Sequence, residues 1–213
     1  MERPPSSDIA FTDAVKHAQS RLGSRAAFER LEARGGHFRT QITPDLVAFL
    51  REVDTAYLAT ANRDGQPYAQ HRGGPPGFIR AVDPTTLGFA DFAGNRQYVT
   101  VGNLSENDRA FLFLMDYAQG RRVKLWGRAR VVEDDPALIA QLAPENYPGR
   151  AERAILFRIE AWDANCAKHI PQKLNAGDVA AAFEQLQDRV ATLEAETKRL
   201  RAELAAAHTQ VSS

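Results

Sequence analysis

TAYLATANRDGQPYAQHR, running from Thr55 to Arg72, changes the period of the chain. Just before it, TPDLVAFLREV (Thr43–Val53) carries a threonine N-cap, a proline at the first helical position and apolar residues at helical spacing. From Thr55 the helical spacing gives way to a short strand-like run, TAYLATA. Asn62 to Gly65 (NRDG) then interrupts, and its Asp-Gly pair supplies the positive φ angles of a tight hairpin. Gln66 to Arg72 returns as the partner strand.

Downstream, LGFADF (Leu87–Phe92), FLFLMDY (Phe111–Tyr117), VKLWGRARVVE (Val123–Glu133) and AILFRIEAWDA (Ala154–Ala164) complete at least six predicted strands. Most links between them are of hairpin length, which predicts antiparallel pairing. One short helix, DDPALIAQLA (Asp134–Ala143), crosses between the last two. Without βαβ alternation, this reads as a closed or nearly closed β-barrel with helices packed outside. Periodicity alone does not separate that barrel from a sandwich.

The flanks are helical. Met1 to Asp8 is polar and proline-bearing, and is expected to lack order. Phe11 to Ala33 reads as two short helices broken at Gly23 and stopped by Gly35-Gly36. Residues 1–42 are thus expected to be a tail and helices packed on a barrel domain at 43–175, with a helix at 176–213. In that last segment Asp178 is the expected cap. Phe183, Leu186, Val190, Leu193, Thr197, Leu200 and Leu204 then alternate three and four apart. Arg189 and Glu196 fall at heptad position g, and Glu194 and Arg201 at e. In a parallel dimer these form two pairs of opposite charge, which points to a coiled coil. The same stripe also suits an amphipathic helix folded back on its own domain.

Composition narrows the function. The chain has 213 residues, 44% of them hydrophobic, and 27 basic residues balance 27 acidic ones. That balance argues against a nucleic-acid partner, and no apolar run is long enough for a membrane span. MERPPSSDIAF lacks the basic and apolar regions of a secretory signal, and the single cysteine, Cys166, forms no internal disulfide; a cytoplasmic location is expected. There is no catalytic triad, HExxH, CxxC or GxGxxG after a strand, and the histidines lack metal-ligand spacing, so no metal is expected. AGNRQYVTVGNLSEN (Ala93–Asn107) is more informative. A strand ending in Gly-Asn-Arg-Gln and turning into a short helix offers backbone N–H groups, a guanidinium and an amide together. That suits a phosphate, though a helix cap beside a solvated arginine fits the same residues.

GQPYAQHRGGPPGF, LGFADFAGNRQYVTVGNLSENDRAFLFLMDY and RRVKLWGRARVVEDDP, taken in order, resemble the flavin-binding split barrels related to pyridoxamine 5′-phosphate oxidase. The family's Ser-Arg-Lys corresponds to Asn95-Arg96-Gln97, and its Asn-Pro-Arg to Asn107-Asp108-Arg109. Its Arg-Gln-Val-Arg followed by Gly corresponds to Arg121-Arg122-Val123-Lys124 and Gly127. The likeness covers roughly Ala48 to Pro171, and is nearest to a branch carrying QHRGGPPGF, GNRQY and NCxxHIP. It implies a mainly β (α+β) fold, an antiparallel six-stranded split β-barrel with flanking helices, followed here by the coiled-coil helix.

The resemblance further implies FMN bound between the barrels of a homodimer. Arg96 and Gln97 would hold its phosphate with help from Asn95. Gln70, His71, Arg72 and Gly73 would run along the ring edge, with Arg122 beside the ring and Trp162 packed near it. The vitamer oxidases carry Arg-Leu-His-x-Arg near the end, whereas here Lys168 stands for the first arginine, His169 is one place out of register and Gln172 replaces the last. Pro75 falls where the substrate-phosphate lysine belongs. These departures speak against pyridoxamine phosphate as substrate. His169 becomes the candidate proton donor, with Lys168 and Cys166 as candidate substrate contacts. The expected activity is FMN-dependent hydride transfer with a small organic substrate, using NAD(P)H or an electron-donor protein. FAD or a deazaflavin is an alternative cofactor, and a non-catalytic flavin-binding sensor an alternative role.

Overall fold

The computed structural model describes residues 5–164 and 168–211. Its helices and strands follow the order α1 (Asp13–Arg21), α2 (Arg25–Ala33), α3 (Pro44–Glu52), β1 (Thr55–Ala61), β2 (Pro67–Gly73), β3 (Arg80–Asp83), β4 (Thr86–Phe92), α4 (Val99–Glu106), β5 (Arg109–Asp116), β6 (Arg121–Val132), α5 (Pro136–Leu142), β7 (Ala151–Ala164) and α6 (Ala176–Val211). Two compact units result, Met1–Ile170 and Pro171–Ser213.

All seven strands join one antiparallel sheet in the order β2-β1-β5-β6-β7-β4-β3. This corrects the expectation of a six-stranded barrel on two points. The added strand is β3, four exposed residues paired with β4 and broken by a bulge, which leave no apolar alternation to read. The sheet is also unclosed, because β2 and β3 are its two ends.

The hairpin at NRDG forms as its chemistry demands. Gly65 has φ 85°, and Asn62 Oδ1 accepts from Gln66 N at 2.9 Å. Inward residues register across the sheet, with Leu58 opposite Leu112, Leu112 opposite Leu125 and Leu125 opposite Trp162. These four are at most 2% exposed and form one core with Phe89, Phe157 and the apolar face of α3. Burying each such leucine contributes about 1.5–3 kcal/mol. Thr43 caps α3 by accepting from Leu46 N at 3.3 Å. Asp135 caps α5 by accepting from Leu138 N at 2.9 Å. α5 covers the second face of β4 and β7, where Ala90, Ala154, Leu156 and Leu142 make a smaller core. Those strands are therefore buried on successive residues rather than alternate ones.

On the outer face Phe38 stacks on Trp126 at 5.1 Å, and Phe11 packs against both Phe28 and Phe38. This aromatic chain draws the N-terminal segment onto the sheet. It also corrects the reading of an unordered start: Ser6–Ile9 form a 3-10 turn, Ser7 is 2% exposed, and Ser6 Oγ donates to Phe38 O.

α6 runs for 36 residues, and its first turn is bound by Asn175, whose Oδ1 accepts from Gly177 N at 2.8 Å. Asp178, the expected cap, lies inside the first turn instead. Among the described residues no helix is long and apolar enough to cross a membrane.

Candidate functional site

Strand alternation sends Tyr68, Gln70 and Arg72 of β2 to one side, and His71 and Gly73 to the other. The first three line a cleft with Asp91 at the end of β4, the turn Gly94–Gln97, the first turn of α4, and Glu152 and Arg153 at the start of β7. The cleft measures about 430 Å³ with its solvent-open mouth included.

The turn is held in an uncommon shape. Arg96 and Tyr98 have φ 59° and 54°, the left-handed region that non-glycine residues seldom adopt. Asn95 Oδ1 accepts from Gln97 N at 3.1 Å, so the Asn95 amide shapes the turn itself. Tyr98 is the N-cap of α4 and makes no side-chain capping bond, leaving the helix's first N–H groups to other acceptors. α4 is tied to the sheet from beneath, through Thr100 Oγ1 donating to Gln70 Oε1 and Asn103 Nδ2 donating to Thr60 Oγ1, each at 3.0 Å.

Three arginines and two carboxylates set the charge of the cleft. Arg72 Nη1 donates to Asp91 Oδ1 in a buried ion pair. Arg153 reaches Glu152 at 2.8 Å and Asp91 at 3.7 Å, and its guanidinium lies 5.2 Å from the Tyr98 ring centre. A hydrogen bond from Arg150, reinforced by the charges of Arg150 and Arg153, holds the Glu152 carboxyl below the usual carboxylate range. Arg96 makes no ion pair among the described residues. Arg72 Nε and Arg153 Nε are both buried without a hydrogen-bond partner. One exposed guanidinium, two largely buried arginines and an uncapped helix start thus line a single space. An anion with several acceptor oxygens suits that donor set.

Of the residues singled out from sequence, Gln70, Arg72, Asn95, Arg96 and Gln97 come together here. His71 does not, since it faces the opposite side and packs edge-on against Tyr57 at 5.6 Å. Gly73 and Arg122 lie in one row with Thr55 and Met115, on the face of His71. Trp162 is core: it is 2% exposed, its Nε1 donates to Gln41 O at 2.8 Å, and Arg39 lies 4.7 Å from its ring. Lys168 and His169 sit in an exposed turn after the end of β7 that pairs with Val123, and His169 has φ 64°. Glu152 and Arg153 mark the other end of that strand. Cys166 lies outside the described residues. Asp91, Tyr98 and Arg153 escaped the sequence reading. The readable signal was Asp91, a lone carboxylate inside an apolar strand, which has to find a cation when buried. No group of acidic, histidine or cysteine side chains among the described residues is arranged to hold a metal.

The sequence profile described as pyridoxamine 5′-phosphate oxidase matches residues 42–166. The chain belongs to the pyridoxamine 5′-phosphate oxidase family. No curated protein matches this family member. Among solved structures it is similar to HupZ of Group A Streptococcus, at 15% identity over 62% of this chain and 99% of that one, with a TM-score of 0.48. An FMN-binding protein of Syntrophomonas wolfei aligns at 10% identity over 69% and 97% of the two chains, with a TM-score of 0.45. HutZ, the heme storage protein of Vibrio cholerae, aligns at 15% identity over 58% and 94%, with a TM-score of 0.40.

Proposed function

We propose that this member of the pyridoxamine 5′-phosphate oxidase family is an FMN-dependent oxidoreductase. Hydride would pass between a small organic substrate and N5 of the flavin. The observation that carries this reading is that Arg96, the uncapped start of α4, Arg72 and Arg153 line one cleft. A phosphate monoester is close to a dianion and matches these donors in charge and number. In this reading Arg96 and the N–H groups at Tyr98 to Thr100 hold the phosphate, and Arg153 holds the inner side of the same group. Gln70 keeps α4 against β2, so the helix start stays aimed at the cleft. FMN supplies the hydride chemistry when bound, and the chain supplies orientation and charge.

Arg122, His71 and Gly73 face away from the cleft of their own chain, so a role for them at the ring requires a second copy, which is proposed here as a homodimer. His169 and Lys168 are proposed for substrate on the same terms. FAD and a deazaflavin also carry phosphate, and the same donors suit them.

The test is Arg96→Ala, titrated with FMN and with riboflavin by quenching of flavin fluorescence. FMN affinity is expected to fall by about 1.5–3 kcal/mol, roughly ten- to a hundred-fold, while riboflavin affinity changes little. Equal loss of both ligands would falsify the phosphate assignment. For the activity itself, anaerobic mixing of the yellow protein with NADH or NADPH is expected to bleach the flavin colour, and a colour that persists would count against hydride transfer from these donors.

A further inference from the structure

α6 carries seven large apolar side chains, Val179, Phe183, Leu186, Val190, Leu193, Leu200 and Leu204, each between 43% and 63% exposed, and Thr197 completes their row. They alternate three and four apart, which traces one narrow seam along a helix of 36 residues. At 1.5 Å per residue that helix is about 54 Å long. So long a stripe, one or two residues wide and polar on both flanks, suits a partner helix better than the broad surface of a sheet. Leu186, Leu193 and Leu200 occupy position d, while Val190 and Thr197 put β-branched residues at a. That is the combination favouring two parallel strands.

We propose that α6 pairs with α6 of a second copy of this chain, as a parallel, in-register, two-stranded coiled coil. Charge selects the partner. In a parallel pair the g residue of one helix meets the e residue five places on in the other. Arg189 then faces the second copy's Glu194, and Glu196 faces its Arg201, so all four flanking contacts attract. Thr197 fixes the register as the polar member of the seam, because any shift would set its hydroxyl against an apolar layer. This pairing does not depend on the flavin assignment.

The test uses the full chain with Cys166→Ser, which removes its only cysteine. In this background Thr197→Cys is expected to give a disulfide-linked dimer under mild oxidation, because identical a positions face each other only in a parallel pair. Circular dichroism checks that the helix is retained. Adding Glu194→Arg and Arg201→Glu makes all four contacts repulsive and is expected to lower the linked yield about tenfold. Mixing that chain with one carrying Arg189→Glu and Glu196→Arg, also with Thr197→Cys, should restore linkage as a mixed dimer. A folded chain with no linkage overturns the proposal and leaves the helix packed elsewhere. Linkage of Thr197→Cys chains to Leu193→Cys chains, but not to themselves, overturns it in favour of an antiparallel pair. A yield indifferent to the charge exchanges overturns the assignment of partner by charge.

Discussion

Asp91 lies in an otherwise apolar strand, is 8% exposed, and accepts from Arg72 while Arg153 approaches to 3.7 Å. Removing one member of a buried pair leaves the other without compensation, which is normally worth about 3–5 kcal/mol. Here the second arginine takes up part of the charge. Arg72→Ala is therefore expected to lower unfolding stability by about 2 kcal/mol in urea titration, below that range. Asp91→Asn added to Arg72→Ala should recover part of the loss, because it removes the stranded carboxylate. Additive losses would mean that the two side chains do not act as a pair. The site was partly legible at this scale. Arg96 and Gln70, both singled out from sequence, line the same cleft, because a strand-turn-helix connection leaves little freedom. Arg153 was not legible, since its approach to the cleft depends on the pairing of β4 with β7, and nothing in the local sequence states which strands are neighbours.

Gly127 shows what an element requires of one position. It sits at the register shift between β6 and β7, where an added Cβ would lie 2.1 Å from Arg158 O. Backbone, rather than a flexible side chain, would have to move. Gly127→Ala is expected to lower stability by about 3 kcal/mol, seen as a fall in urea midpoint. Gly102 inside α4 has nothing within 4 Å of the corresponding point. Gly102→Ala should raise the midpoint, by about 0.5–1 kcal/mol of helix propensity. The outcome to look for is opposite signs from the same substitution. The hairpin between β1 and β2 and the cap of α3 were legible because Asp-Gly and Thr-Pro act on their own backbone. β3 was not, because four exposed residues carry no periodicity. The start of α6 was misplaced by three residues, since Asn175 and Asp178 are both competent caps.

For the whole molecule, the division after Ile170 leaves every residue of the cleft in the first unit. A chain ending at Asn175 is thus expected to bind FMN within about twofold of the full chain, measured by fluorescence titration. Loss of flavin from that truncated chain would put α6 in the site. Periodicity and hairpin-length links foretold antiparallel strands with outer helices but not whether the sheet would close, because alternation reports which face a residue takes and not which edges meet. The edges do approach: Arg72 on β2 holds Asp91 on β4, although no backbone ladder joins those strands. A seam fastened by side chains parts without breaking any strand pairing, whereas opening anywhere else in the sheet would shear a row of amide bonds. The cleft lies along that fastening, so parting two side chains would widen it without unfolding a strand.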